Sequence, residues 1–266
     1  MRKDIIRGQY LPLNSKIHIA DVRLKIVLTL LMIINIFLIK TLILFAITIL
    51  FLLIMIRYSH IPVRYILNGL KPIMYIIIFT CVINILTIND LPIINLKVIS
   101  ISYKAIEISI ILALRLVLMI ASASILTITT LPSDLTYGIE KLLKPFKLFK
   151  VPSHEIAMMM SIALRFIPTI FDEFDKIIKA QKSRGADFDN GSLLKKIKCF
   201  IPILVPLFIN TFKRADELTI AMESRCYRGD KGRTRMKELK LSIIDFRIMI
   251  FMCVYFCLEF IIFYFY

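Results

Sequence analysis

The sequence lacks the usual pieces of a catalytic or metal-binding centre. Its five cysteines (Cys81, Cys199, Cys226, Cys253 and Cys257) are odd in number and scattered, and none forms a C-x-x-C pair. Neither a disulfide framework nor a zinc site is indicated. Cys253 and Cys257 share a helix face at i,i+4 with no nearby histidine, which reads as packing in an apolar helix. His18, His60 and His154 lie far apart in the chain, and no G-x-x-x-x-G-K-[ST] phosphate loop occurs. No metal and no cofactor of its own is therefore expected. Acidic residues are scarce, with 19 Asp and Glu against 35 Lys and Arg, a formal net charge of +16. The first 23 residues carry Arg2, Lys3, Arg7, Lys16 and Arg23 without an apolar stretch and small-residue cleavage site, so they read as a cytoplasmic tail and not a removed signal peptide.

What is present is apolar residue in excess. The chain is 58% hydrophobic with a mean hydropathy of +0.79, yet 20% of its residues are charged, so the two kinds must be segregated. Of the 35 basic residues, 21 fall between Lys141 and Lys240, beside hydrophobic runs too long for a soluble domain. A basic flank to membrane helices is the positive-inside pattern before it is a nucleic-acid patch, and no nucleic-acid partner is expected.

Ile26–Ile56 is apolar but for Thr, Asn35 and Lys40. At 1.5 Å per residue it would span about 46 Å, too long for one crossing of a core about 30 Å thick, so two helices turning near Lys40 are predicted. Arg57, Arg64 and Lys71, with Pro62 and the Asn68-Gly69 turn signal, read as a basic cytoplasmic loop. A third span runs from about Pro72 to Ile88, broken by Asn89-Asp90-Leu91-Pro92, and a fourth from Ala105 to about Ile128. Arg115 sits near the middle of the fourth, where an unpaired charge costs at least about 2.5 kcal/mol, so it has either a function or a polar contact on a neighbouring helix. With Lys40 and Ile93–Lys104 outside, the N-terminus is inside. Leu241 to Tyr266 spans once more, placing the C-terminus outside and Glu259 near the outer face.

Between the spans lies an amphipathic region of mixed charge. From Ser153, Ile156, Met160, Ala163, Ile167, Ile170, Phe174 and Ile177 recur at 4-3-4-3-4-3 spacing, the seam of a helix that Pro168 should kink. The breadth of its apolar face suits a helix at the membrane surface or packed on several partners. Phe200–Phe212 is apolar but too short to span, interrupted by Pro202 and Pro206, and reads as a second helix under the bilayer. The basic stretch Arg228–Arg235 reads as a solvated cytoplasmic loop.

Two short stretches echo each other. Ala180-Gln181-Lys182-Ser183-Arg184-Gly185 and Ala221-Met222-Glu223-Ser224-Arg225-Cys226 both read Ala-x-x-Ser-Arg, and Phe-Ile-Pro precedes each, at Phe166-Ile167-Pro168 and Phe200-Ile201-Pro202. An arginine in a last helical turn is favoured by the macrodipole and keeps a free guanidinium for a partner. Two such ends suit a device that grips two similar partners.

With these motifs placed, the chain resembles the T component, the transmembrane scaffold of energy-coupling factor (ECF) transporters. The resemblance covers nearly the whole chain and is strongest from Thr129 through Arg235, in Val151–Met159, Ser161–Pro168, Lys182–Ala186 and Ala221–Arg225. That family commonly has Ala-Arg-Gly pairs; here they are Ser183-Arg184-Gly185 and Ser224-Arg225-Cys226. The resemblance implies an all-α polytopic membrane protein of about five transmembrane helices, organised as residues 1–128 (tail and four spans), 129–240 (cytoplasmic coupling helices) and 241–266 (last span). It implies a non-catalytic subunit joining two homologous cytoplasmic ATPases, which bind the ATP, to a substrate-binding membrane S component, for uptake of a vitamin or other micronutrient. By carry-over, Ser183, Arg184, Gly185, Ser224, Arg225 and Cys226 would dock the ATPases, and Met158, Met159, Met160, Phe166, Ile167 and Pro168 would pack the coupling helices and S component. Two other readings compete with it. A polytopic enzyme acting on a lipid or polyprenyl substrate would need paired acids, and only Asp172-Glu173 and Asp216-Glu217 are adjacent, each on a charged helix face. The other is a permease forming its own path in an ordinary ABC transporter. The solute is not legible, because its specificity would reside in another polypeptide.

Overall fold

The computed structural model describes residues 10–13, 15–87, 92–96, 99–149, 152–186, 193–229 and 241–265. The elements are α1 (Lys16–Ile19), α2 (Val22–Leu38), α3 (Leu42–Ser59), α4 (Val63–Thr87), β1 (Pro92–Leu96), β2 (Ile99–Ser102), α5 (Tyr103–Thr129), α6 (Pro132–Leu143), a 3-10 turn (Lys144–Phe149), α7 (Ser153–Ser183), α8 (Leu193–Ser224) and α9 (Ile243–Phe265). Among the described residues the fold is all-α apart from the antiparallel β1–β2 pair, in register Asn95↔Ser100 and Leu96↔Ile99. That pair occupies the segment read from sequence only as an external loop.

Among the described residues five helices are long and apolar enough to cross a membrane: α3, α4, α5, α7 and most of α9, with α7 the least apolar. α2, at 17 residues, is about 26 Å long and stops at Ile39, so the turn near Lys40 divides two helices as predicted. Two boundaries differ from the expectation. The third span begins at Val63 instead of about Pro72, so Asn68-Gly69 lies inside the helix instead of in a loop, and Pro72 is internal to it. In lipid an unpaired backbone group costs several kcal/mol, so the chain stays helical through residues that would end a helix in water. α8 begins at Leu193, ahead of the apolar stretch Phe200–Phe212, and runs unbroken through Pro202 and Pro206. The predicted break at Asn89–Leu91, the extreme N-terminus and Asp230–Arg235 lie outside the described residues.

The described residues divide into two compact units, one built from residues up to 138 with those from 241 onward, the other from residues 139–229; the division falls inside α6. The core of the larger unit joins Met32 and Ile36 of α2, Phe45 and Phe51 of α3, Leu118 and Ile125 of α5, and Met252 and Tyr255 of α9. Polar groups close its ends. Asp21 caps α2 by accepting from the Arg23 amide at 2.9 Å, and its own amide donates to Asp245 at 2.7 Å. Lys25 is buried and donates to the carbonyls of His18 and Thr129 at 3.0 and 3.2 Å. At Gly138 an added Cβ would lie 2.9 Å from Ile26, so α6 approaches α2 closely only because this residue has no side chain.

Candidate functional site

α7 and α8 end in the same way. After α7, the Gly185 amide donates to the Lys182 carbonyl and the Ala186 amide to the Gln181 carbonyl, both at 3.0 Å. After α8, the Cys226 amide donates to Glu223 at 2.8 Å and the Tyr227 amide to Met222 at 3.1 Å. Each is a Schellman motif, in which two amides beyond the helix satisfy two of its last carbonyls. The motif needs one residue in the left-handed region, and Gly185 (φ 84°) and Cys226 (φ 55°) supply it at equivalent positions. Glycine does so without steric cost, whereas an L side chain there costs about 1–2 kcal/mol. The departure from Ala-Arg-Gly at Cys226 therefore leaves the cap geometry intact and costs energy instead.

Arg184 and Arg225 are thereby fixed at the C-cap of their helices, where the backbone turns away and the side chain stands clear. Both are exposed, as are Ser183, Gly185, Ser224 and Cys226. Neither guanidinium has a partner among the described residues, while the serine hydroxyls turn back, Ser183 to the Lys179 carbonyl and Ser224 to the Ala221 carbonyl. Each end thus presents one unpaired five-donor fork, suited to bidentate capture of a carboxylate.

The two helices meet through a residue that the sequence reading assigned to a solvated charged face. Glu173 of α7 accepts a hydrogen bond from Asn210 Nδ2 of α8 at 2.5 Å and lies 3.7 Å from Arg214 Nε, with its side chain only 16% exposed. Phe166, Lys213, Glu217 and Leu218 surround this contact, lining with them a cavity of about 580 Å³. An asparagine inside the apolar run Phe200–Phe212 was the available signal, because an amide on a buried helix face requires a partner. A second polar contact, His154 Nδ1 to Glu140 Oε1 at 3.3 Å, ties the end of α6 to the start of α7.

The predicted packing residues are spread around α7. Met158, Met160, Phe166 and Pro168 are half-buried, Met159 and Ile167 exposed. Along the seam Ala163 and Ile167 are exposed, so the stripe is not sealed within this chain. α8 likewise exposes Ile201, Leu204, Val205, Phe208, Ile209 and Phe212. Such a run of large apolar side chains exceeds what a monomeric soluble surface carries and marks a face for lipid or protein.

The remaining ionisable candidates have structural roles. Arg115 donates to the Ile39 carbonyl at 2.8 Å and lies over the Phe37 ring at 5.4 Å, so it satisfies the chain where α2 ends. Glu259, expected near the outer face, is buried and accepts from Asn35, Thr48 and Tyr255, joining α9 to α2 and α3. Among the described residues no three His, Cys, Asp or Glu side chains cluster as metal ligands.

Comparison with known proteins shows the family of the chain. The family described as CbiQ, cobalt transport protein, matches residues 14–236. A Ruminiclostridium cellulolyticum protein named energy-coupling factor transporter transmembrane protein EcfT is 55% identical over 245 residues, covering 92% of each chain. The protein of that name from Clostridium kluyveri is 51% identical over 248 residues, 92% of each. That from Listeria innocua is 40% identical over 255 residues, 96% of each.

Proposed function

Because the chain belongs to the family of energy-coupling factor transporter transmembrane proteins, a multi-pass membrane component and not an enzyme, we propose that it couples ATP hydrolysis by two cytoplasmic ABC ATPases to a substrate-binding membrane S component. Membership of that family displaces the reading as a lipid or polyprenyl enzyme. The matched C-caps carry the proposal. Two helices ending in the same backbone motif, each with one unpaired arginine, suit two homologous docking grooves.

On this reading residues 129–240 are the coupling region, Arg184 enters an acidic groove of one ATPase and Arg225 that of the other. Ser183, Gly185, Ser224 and Cys226 permit the close approach. ATP is held by the ATPases, and this chain binds no cofactor of its own. Closure of the ATPase pair moves α7 and α8, and the apolar face that includes Met158, Met159, Met160, Phe166, Ile167 and Pro168 passes the motion to the S component. The cargo is a vitamin or similar micronutrient selected by that component. The N-terminus is cytoplasmic and the C-terminus external, as the excess of basic charge between Lys141 and Lys240 favours.

Affinity purification of the full chain from its native membrane tests the assembly. Two related ABC ATPases and a small membrane protein are expected to co-purify, with ATP hydrolysis only in their presence. A chain recovered alone, or with a separate channel-forming permease, overturns the proposal.

A further inference from the structure

We infer that the cleft between α1, the end of α3 and the start of α9 is a binding site for one anionic phospholipid. The cleft, of about 270 Å³, is lined by Lys16 and Ile17 of α1, Met55 and Tyr58 of α3, and Ile244, Arg247, Ile248 and Phe251 of α9. Its composition is divided. Five side chains (Ile17, Met55, Ile244, Ile248 and Phe251) form an apolar floor, while Lys16, Arg247 and Tyr58 bring two cations and a phenol.

All three polar side chains are exposed, and none has a partner among the described residues. The nearest carboxylate in sequence, Asp245, is no counter-ion for them. It is buried and already accepts from the amides of Asp21 and Ser242 at 2.7 and 2.6 Å. Two uncompensated cations beside an apolar floor in one cleft call for a ligand that is anionic at one end and apolar at the other.

The place in the fold identifies the source of that ligand. Met55 and Tyr58 lie in the last two turns of one membrane-spanning helix, and Ile244–Phe251 in the first turns of another. A cleft at the ends of spanning helices lies at the level of lipid headgroups, where basic pockets between helices take up acidic lipids. A free phosphate would use the cations and leave the floor wet. A zwitterionic lipid would use the floor and leave the cations unneutralised. An anionic phospholipid does both: its phosphate lies between Lys16 and Arg247, Tyr58 Oη donates to it, and its acyl chain runs along Met55, Ile248 and Phe251. Bound there, the lipid holds α1 against the helix pair.

The test is a titration of the full chain in detergent micelles, read by native mass spectrometry. Dioleoyl phosphatidylglycerol, dioleoyl phosphatidylcholine and glycerol 3-phosphate are the three probes. One phosphatidylglycerol is expected to bind ahead of the rest, with the other two probes at background. A basic residue near a membrane surface contributes a preference worth about fivefold. Arg247→Gln should therefore weaken that first site about fivefold and Lys16→Gln with Arg247→Gln about 25-fold, while Arg247→Lys retains it. Lys71→Gln, which removes an exposed charge elsewhere, should leave it unchanged. Equal losses in Lys71→Gln and Arg247→Gln would overturn the assignment. So would glycerol 3-phosphate binding as well as the lipid, or phosphatidylcholine binding as well as phosphatidylglycerol.

Discussion

Glu173 and Arg214, paired at 3.7 Å between α7 and α8, each stand eleven residues before the arginine that caps their own helix. Eleven residues are about 16 Å of helix. Neither intervening segment, 174–183 or 215–224, contains proline or glycine, whereas Pro168, Pro202 and Pro206 all lie before the contact. Two stiff arms of equal length thus extend from one polar crossing point to two like ends.

The crossing is expected to matter for transmission more than for assembly. Glu173→Gln keeps the size of the side chain and removes its charge, leaving both arginine ends untouched. In a cycle with Arg214→Gln the coupling should be about 0.5–1 kcal/mol, as for partly exposed pairs. Transport per ATP hydrolysed should fall in Glu173→Ala, with ATPase binding retained. Loss of ATPase binding together with transport would make the pair a folding contact only.

The caps predict opposite effects for two small substitutions. Cys226→Gly relieves a left-handed L residue and should stabilise the last turn of α8 by about 1 kcal/mol. Gly185→Ala should destabilise the last turn of α7 by a similar amount. An added Cβ at Gly185 meets nothing within 4 Å, so the cost is conformational and not steric. Amide hydrogen exchange at Arg184–Ala186 and Arg225–Tyr227 measures both.

Acid should loosen the N-terminal segment through His18. Its Nε2 faces the Leu11 carbonyl at 3.1 Å, which can only accept, so Nε2 carries the proton and Nδ1 accepts from the Ser15 hydroxyl at 2.6 Å. Burial, then the charge of Lys25, lowers its pKa, and the Leu11 carbonyl opposes them in part. A base whose folded value lies below its unfolded one stabilises the fold fully above the unfolded value, near 6.5, and progressively less as pH falls through it. Asp21 titrates elsewhere. Burial pushes its carboxyl up, but hydrogen bonds and charge from Arg23 outweigh that and hold it low, so its contribution persists down to about pH 4. Between pH 7.5 and 5.5, exchange at residues 10–19, corrected for intrinsic rates, should therefore rise in the wild type and stay flat in His18→Gln.

The helices and their ends were largely legible because both are local. Apolar run length, Lys40 as a divider and Ser-Arg beside Gly185 are properties of adjacent residues. Turn signals misled at Asn68-Gly69, which lies inside a helix long and apolar enough to span a bilayer, and at Pro202 and Pro206, which lie inside the continuous α8. Side-chain partners between distant elements were illegible for a different reason. Glu173 lies among charged neighbours and Glu259 among apolar ones, and in both cases only packing shows the partner, Glu173 joining α7 to α8 and Glu259 joining α9 to α2 and α3. The equivalence of Cys226 to Gly185 depends on φ, which the residue type alone argued against.

Retention of the ATPase pair by chains carrying Arg184→Glu or Arg225→Glu tests the central claim most directly. Both side chains are exposed and have no partner among the described residues, so reversal is expected to leave the fold of this chain intact. Losing one member of a buried interfacial charge pair costs about 2–5 kcal/mol. Each variant should therefore release the ATPases at concentrations where the wild type holds them, and solute uptake should stop. Wild-type retention and uptake in both variants would contradict the account.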